Sequence, residues 1–423
     1  MKHSDPSPNG ERLLTRLDEL ATIGRGENDA CCRLALSDDD RRGRDLVVDW
    51  MRELDLEISI DPIGNIFGRR PGRNPNLAPV MTGSHIDTVR SGGKYDGNLG
   101  VLAGLEAVAT LNDSGFDTER PLVVAVFTNE EGARFAPDML GSLVYVGGLD
   151  LDDALAARAI DGAILGEELE RIGYAGSAPL GSHRPSAFVE LHVEQGPVLD
   201  MEGITIGVVE NLQGISWQEI TITGQSNHAG TTPMRMRHDA GYAAGAITAF
   251  VRELSEEMSK NQVATVGSVD LAPNLINVIA SRATLTVDLR NTDELLLQRA
   301  ESRLAAFLDT LEKSEGVCID TRRLARFEPV TFDAGVAAAI AAQAEGLGYS
   351  HRPMTSGAGH DAQMLARICP TAMIFVPSVN GISHNPDEYT SPEDVIAGAR
   401  VLLSTLIELC KYGNPAHFPH RLR

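Results

Sequence analysis

Four short stretches place imidazole and carboxylate side chains directly after runs that read as buried core. The first, "GSHIDTVRSGGKYDG", carries His85, Asp87 and Asp96. The second, "TNEEGARF", sets Glu130 beside Glu131 straight after the apolar "PLVVAVF". The third is His192 in "ELHVEQG", and the fourth is His384 in "GISHNPDEYTS". Imidazole and carboxylate together suit Zn²⁺ or a similar divalent first-row ion. Two ions a few ångströms apart need a carboxylate that bridges them, plus about two further ligands each. Asp96 is the candidate bridge. His85 and His192 are each candidates to hold one ion, and Glu131 and His384 complete the set. Asp87, two residues after His85, is expected to orient that imidazole from behind.

This division gives the adjacent glutamates a reason to tolerate each other. Glu131 is expected to be a ligand. Glu130 would instead take a proton from the activated water and later return it to the leaving nitrogen. Taken singly, each stretch is weak: a histidine in a strand is usually a packed core residue, and a Glu-Glu pair is usually a solvated turn. Four of them, each at a strand end or in the loop beyond, point to one centre.

The elements that must position these residues follow from periodicity. "APVMTGSHID" (78–87), "PLVVAVF" (121–127), "SAFVELHVEQG" (186–196) and "TAMIFVPS" (371–378) read as strands. "GVLAGLEAVATLN" (100–112), "GVAAAIAAQAEGLG" (335–348) and "SPEDVIAGARVLLSTLIELCKYG" (391–413) read as helices, the last opened by Ser391, Pro392 and Asp394. Strands alternating with helices predict an α/β layer with a largely parallel sheet. The middle differs. "ISWQEITITGQ" (215–225), a helix over 239–260, strands over 262–271 and 278–290, a helix over 293–315 and a strand over 317–327 give the order β-α-β-β-α-β. That is the ferredoxin-like split unit. The chain is therefore expected to form a discontinuous catalytic domain, 1–212 and 330–423, interrupted by an inserted domain, 213–329.

The totals agree with a large cytoplasmic protein. The 423 residues exceed one ordinary core. With 37 Lys+Arg against 59 Asp+Glu the formal net charge is −22. Such a chain is a poor candidate for nucleic acid or anionic membrane, both of which select basic surface. Five cysteines, Cys31, Cys32, Cys318, Cys369 and Cys410, show no CxxC and suit reduced thiols. Neither a signal-peptide core nor a membrane span is expected.

These stretches, with "SNHAGTTPM" and "SGAGHDAQ", resemble the ureidohydrolase branch of the M20 metallopeptidase superfamily, in order and over nearly the whole chain. That branch contains N-carbamoyl-L-amino-acid hydrolases, β-ureidopropionases and allantoate amidohydrolases. The resemblance implies a metal-dependent exopeptidase-like α/β catalytic domain with two divalent ions, Zn²⁺ or Mn²⁺, with Co²⁺ and Ni²⁺ also acceptable. It implies that the inserted ferredoxin-like α+β domain is a lid that closes over the substrate and forms a homodimer interface. By motif, His85, Asp96, Glu131, His192 and His384 are implied as ligands and Glu130 as base. M20 peptidases and aminoacylases usually carry an acid at the third ligand. His192, in the "HVEQG" form, favours a carbamoyl substrate. Arg290 in "TVDLRNTD" resembles the arginine that pairs with the substrate carboxylate. Asn277 and Gln195 are implied to hydrogen-bond the substrate, and His228 to stabilise the oxyanion. The loop of Gly357, Ala358, Gly359 and His360 is implied to contact the substrate carboxylate. The expected activity is hydrolysis of an N-carbamoyl-L-amino acid to amino acid, CO₂ and ammonia. Allantoate, N-carbamoyl-β-alanine, a peptide or an N-acyl amino acid remain rival substrates. A non-catalytic relative would lack Glu130 or a ligand, and this sequence keeps all of them.

Overall fold

The computed structural model describes residues 6–258 and 260–412; His3, His417 and His420 lie outside them. The chain divides into two compact units. One runs to Glu210 and resumes at Phe332, and the other is Asn211–Thr331. These crossings differ by two residues from those read in the periodicity. The reason is that the strand leading out, Ile206–Leu212, runs past the crossing and pairs antiparallel at Asn211 and Leu212 with Val330–Thr331.

Up to the first crossing the strands are β1 (Glu57–Ile60), β2 (Ile66–Arg70), β3 (Val80–His85), β4 (Leu122–Phe127), β5 (Ala187–Val193) and β6 (Ile206–Leu212). The second unit holds β7 (Gly214–Thr223), β8 (Val263–Ala272), β9 (Arg282–Asn291), β10 (Cys318–Phe327) and β11 (Val330–Thr331). β12 (His351–Ser356) and β13 (Thr371–Val376) return to the first.

The main sheet has the order β1-β2-β4-β3-β5-β13-β6-β11, with β12 also on β6. β4, β3, β5 and β13 run parallel. The flanks do not: β1, β2 and β6 are antiparallel to their neighbours, so the sheet is mixed. The parallel strands are buried along their whole length, which is why "LVVAVF" and the "AMIFV" after Thr371 are unbroken apolar runs. The helix Asn98–Asp113 is buried on nearly all sides. Its Gly100 and Gly104 permit that: a Cβ on Gly100 would stand 2.6 Å from the Leu191 carbonyl oxygen and 2.8 Å from Ser84 Cβ. The last helix, Pro392–Tyr412, starts where its cap predicts, with Asp394 N donating to Ser391 Oγ at 3.1 Å.

The second unit is one antiparallel sheet, β10-β7-β9-β8, with helices Ala240–Met258 and Glu294–Glu315. This strand order is that of a ferredoxin-like sheet. Ile220, Ile222, Leu285, Val287 and Leu289 of the sheet pack on Ile247, Leu254, Leu297 and Leu304 of the helices. β9 starts at Arg282, later than periodicity suggested, because Val278 and Ile279 instead pair with His228 and Asn227. No helix among the described residues is long and apolar enough to cross a membrane.

Candidate metal centre

Parallel strands bring the first donors level. Val80 of β3 lies opposite Ala187 of β5, and continuing that register brings His85 beside His192. Their rings are 6.1 Å apart. Glu130 and Glu131 follow the end of β4, and His384 follows β13. All stand at the carboxyl ends of parallel strands, where open α/β sheets place their ligand crevices.

Hydrogen bonds fix which nitrogen each histidine presents. His85 Nδ1 donates to the Asp87 backbone oxygen at 2.9 Å, and His192 Nδ1 donates to the Val193 oxygen at 2.9 Å. Each Nε2 is thereby left with its lone pair. That of His192 accepts the Gly97 N–H at 3.1 Å. That of His85 is buried with no hydrogen-bond partner. Gly97 must be glycine here: its φ is +65°, and a Cβ would lie 2.4 Å from the His85 ring.

Asp96 stands between two donor sets. Its Oδ1 is 3.2 Å from His192 Nε2 and 3.5 Å from His85 Nε2. Its Oδ2 is 3.3 Å from His384 Nε2, which in turn is 3.3 Å from Glu131 Oε2. His85, Asp96 and His192 form one group, and Asp96, Glu131 and His384 another; within each the ligand atoms lie within 4.8 Å of one another. Glu130 joins neither, although its Oε2 is 3.3 Å from His85 Nε2. The orphaned His85 nitrogen and two donor sets sharing one carboxylate fit a pair of divalent cations.

The electrostatics point the same way. Burial, then the nearby Asp96, pushes Glu131 up to about 8. Burial holds Glu130 well above the usual carboxylate range; Asp361 and Glu131 add to it against the pull of His85. Burial would raise Asp96 too, but the imidazoles of His192, His384 and His85 outweigh it and hold it well below its ordinary value. The hydrogen bond to Asp96 raises His384 to about 9. A pocket in which Glu130 and Glu131 hold protons this tightly is one where cations would offset the crowding.

Asp87 departs from its expected role. Its carboxylate oxygen Oδ1 is 3.9 Å from His85 Nδ1, too far for a hydrogen bond, and it is the backbone oxygen that orients the imidazole. The carboxylate instead accepts the backbone N–H groups of Glu130 (3.2 Å) and Glu131 (3.3 Å). Gln195, with φ +57°, donates Nε2 to Asp96 Oδ2 at 2.8 Å, so it touches the candidate bridge. In the glycine-rich loop the Ala358 N–H donates to Ser356 Oγ at 3.2 Å rather than standing open. His360 is buried, 3.0 Å from the same hydroxyl, with its ring 4.5 Å from that of His192. Gly359 packs on Met139, and Gly357 lies in the same loop.

Three expected substrate residues lie in the second unit. His228 and Asn277 are adjacent, since Ala229 N donates to the Asn277 oxygen at 3.0 Å and His228 bridges to Val278. His228 Nδ1 accepts the Gly230 N–H at 3.0 Å, which leaves the proton of the neutral ring on the exposed Nε2. Arg290 is held by Asp288, with Nη2 to Oδ2 at 2.9 Å, and lies 6.0 Å from the Trp217 ring centroid.

Sequence reasoning missed Glu388 and Ser383. Glu388 Oε1 accepts the Tyr95 and Asp96 N–H groups at 3.0 and 3.1 Å, and Ser383 Oγ lies 3.2 Å from Asp96 Oδ2. Burial, then Asp96, pushes Glu388 up to about 7. The available signal was an acid four residues after His384 and a second glycine, Gly93, ahead of "KYDG".

The chain matches the model of peptidase family M20/M25/M40 over residues 81–408. It is 43% identical over 400 residues to the N-carbamoyl-L-amino-acid amidohydrolase of Rhizobium meliloti, covering 95% of this chain and 96% of that protein. It is 37% identical over 408 residues to the ureidoglycolate hydrolase of Arabidopsis thaliana, covering 94% and 86%. Among solved structures, an amidase of the hydantoinase/carbamoylase family from Burkholderia multivorans superposes with a TM-score of 0.92 at 44% identity, covering 96% of this chain and 98% of that one.

Proposed function

The chain belongs to peptidase family M20/M25/M40, and from that premise we propose that it is a binuclear metal-dependent amidohydrolase that cleaves the carbamoyl C–N bond of an N-carbamoyl-L-amino acid. The products are the amino acid, CO₂ and ammonia. The observation that carries this reading is the division of Asp96, one oxygen facing His85 and His192 and the other facing His384. The name of the Rhizobium relative supports the substrate class.

His85, Asp96, Glu131, His192 and His384 would hold two divalent ions, Zn²⁺ or Mn²⁺ with Co²⁺ and Ni²⁺ also accepted by these donors. Bound there, such ions polarise water and the substrate carbonyl. Glu130 carries the proton from the water to the departing nitrogen. His228 donates from Nε2 to the oxygen that becomes negative. Arg290 clamps the substrate carboxylate through its fork, and Asn277, Gln195 and the 357–360 loop bound the remaining polar edge.

The second unit acts in this reading as lid and dimerisation domain. β8 supports that: it is an edge strand with Val263, Val269 and Leu271 exposed at 45%, 47% and 38%. A bare apolar edge invites pairing with a second copy. The cytoplasm suits the unpaired thiols of Cys31, Cys32, Cys318, Cys369 and Cys410.

The test is ammonia and amino-acid release from a substrate panel, after metal removal and readdition of Mn²⁺ or Zn²⁺. The panel holds N-carbamoyl-L- and D-amino acids, N-carbamoyl-β-alanine, allantoate, ureidoglycolate, N-acetyl amino acids and dipeptides. Metal-dependent turnover of N-carbamoyl-L-amino acids, abolished in Glu130→Gln, is the expected result. Preference for allantoate or ureidoglycolate would move the substrate within the branch. Turnover of acetylated amino acids or dipeptides alone would overturn the carbamoyl reading.

A further inference from the structure

The donors facing His384 stand on stretches of irregular backbone that follow different strands. Asp96 follows β3, and Ser383 and His384 follow β13. His384 is the most loosely placed of the set, with a side chain 49% exposed and φ at +52°. A non-glycine residue in that conformation persists only where its surroundings hold it.

Glu388 ties the two stretches together. Through Oε1 it accepts the backbone N–H groups of Tyr95 (3.0 Å) and Asp96 (3.1 Å), and through Oε2 it accepts the Ser383 hydroxyl at 2.9 Å. That hydroxyl also lies 3.2 Å from Asp96 Oδ2, the oxygen turned toward His384. Glu388 is buried, and it lies so close to Gly93 that a Cβ there would fall 2.4 Å from its own Cβ. Its segment is anchored in turn to the end of β13. Val379 N donates to the Tyr389 oxygen at 2.9 Å, and Thr390 Oγ1 to the Pro377 oxygen at 2.8 Å. A carboxylate with two backbone donors and a hydroxyl is a stiff three-point clamp.

We propose that Glu388 is a positioning residue: it sets the spacing between Asp96 and His384 and thereby the affinity of the Asp96–Glu131–His384 set for its ion. This rests on the binuclear reading above. Glu388 touches neither substrate nor ion in this role. Its effect falls chiefly on the one donor set whose members stand on both stretches it joins. The His85–Asp96–His192 set keeps both histidines on β3 and β5 and depends on Glu388 only through Asp96.

The test is titration of metal-free protein with Mn²⁺ or Zn²⁺, followed by calorimetry and elemental analysis, for the wild type, Glu388→Ala, Glu388→Gln and Ser383→Ala. Thermal melts run alongside. The wild type should hold two ions. Glu388→Ala should bind the second ion roughly 10- to 100-fold more weakly, the range for residues that orient ligands, with the first ion nearly unchanged. Glu388→Gln keeps an oxygen for the two N–H groups and should lose less, and Ser383→Ala should weaken the same ion modestly. Activity of Glu388→Ala should return as metal concentration rises, which general structural damage would not allow. Two tight ions in Glu388→Ala would overturn the proposal. So would equal weakening of both ions together with an unaltered second ion in a well-folded Ser383→Ala. A wild type holding one ion would overturn the binuclear reading and this proposal together.

Discussion

Asp87 accepts the backbone N–H of Glu130 through Oδ1 at 3.2 Å, across 43 residues of sequence. Its other oxygen takes the N–H of Glu131 at 3.3 Å. Two acidic side chains can then leave one turn at a fixed angle because their peptide groups are held by a third, buried acid. Asn129, at φ +56°, closes the turn, its Nδ2 donating to the Phe135 oxygen at 2.8 Å.

Replacing Asp87 with alanine should therefore act on the glutamates rather than on His85. Two buried N–H groups lose their acceptor, at about 1–3 kcal/mol each. The melting temperature should fall, and kcat should drop by roughly 10- to 100-fold, as for other residues that hold ligands in place, with KM little changed. Steady-state kinetics on a carbamoyl substrate check this. A variant that raises KM at unchanged kcat would argue against it.

Metal removal should make stability depend on pH in one direction. Without cations, Glu131 is held at about 8, by burial and then Asp96, against an ordinary value of 4.5. A carboxyl raised in the folded state favours folding fully below its ordinary value. That contribution is lost progressively as pH rises to about 8. His384, raised to about 9 by its hydrogen bond to Asp96, has the same sign, with its contribution lost between 6.5 and 9. The buried Glu131 contributes a slope of up to about 1.4 kcal/mol per pH unit within its window, and His384, with its side chain 49% exposed, contributes less because solvent screens it. Chelated protein should melt at lower temperature as pH rises from 5 to 9, and Glu131→Gln should flatten the curve. Protein reloaded with metal should show the dependence weakly, since an ion held as proposed would keep Glu131 deprotonated and His384 neutral. Calorimetric melts across that range decide it.

Glu168 should behave in the opposite sense. Hydrogen bonds from Arg171 and then Arg134 hold its carboxyl down to about 2. Arg134 belongs to the same "NEEGARF" stretch and is pinned to Glu168 at 2.8 Å and to the Ala35 oxygen at 3.0 Å. A depressed carboxyl contributes stability above its ordinary 4.5, lost as pH falls through about 2. Glu168→Gln should cost about 1.5–3 kcal/mol at pH 7, the range for hydrogen bonds to charged groups. The difference from wild type should shrink between pH 4.5 and 2. Denaturant melts at a series of pH values give the curve, and a constant difference would count against it.

The candidate donors are legible as a local pattern: His85, His192, Glu130 and Glu131 sit at or just past strand ends, and Asp96 and His384 lie in the loops beyond. His85 ends β3 and His192 lies within β5, so strand prediction and chemistry pointed to the same positions. What joins the donors was not legible. The contacts of Asp87 with Glu130 and of Glu388 with Asp96 span 43 and 292 residues, and pairings at that range leave no local period. The mixed sense of the sheet was hidden for the same reason. β1 and β2 are a short hairpin beside β4, and "EISI" and "IFGRR" carry no sign of which neighbour they will take. The burial of the helix Asn98–Asp113 was half visible. Its apolar face reads easily, but only Gly100 and Gly104 against β3, β4 and β5 explain how closely it lies on the sheet.

Arg290 gives the sharpest test of substrate class. Its guanidinium is bonded to Asp288, with Nε at 3.1 and 3.0 Å and Nη2 at 2.9 Å, beside Trp217. Asp288 fixes the plane of the fork, and in the proposed reading a substrate carboxylate would meet a donor already oriented. Lysine cannot reproduce that plane, since it offers a point charge and would still be drawn to Asp288. Arg290→Lys should raise KM for an N-carbamoyl amino acid by roughly 10- to 100-fold, the loss of a charge-assisted bidentate contact of about 1.5–3 kcal/mol. The corresponding N-carbamoyl amino-acid amide, which lacks the charge, should be a poor substrate for the wild type and little worse for the variant. Equal losses on acid and amide would mean that Arg290 holds the sheet rather than the substrate.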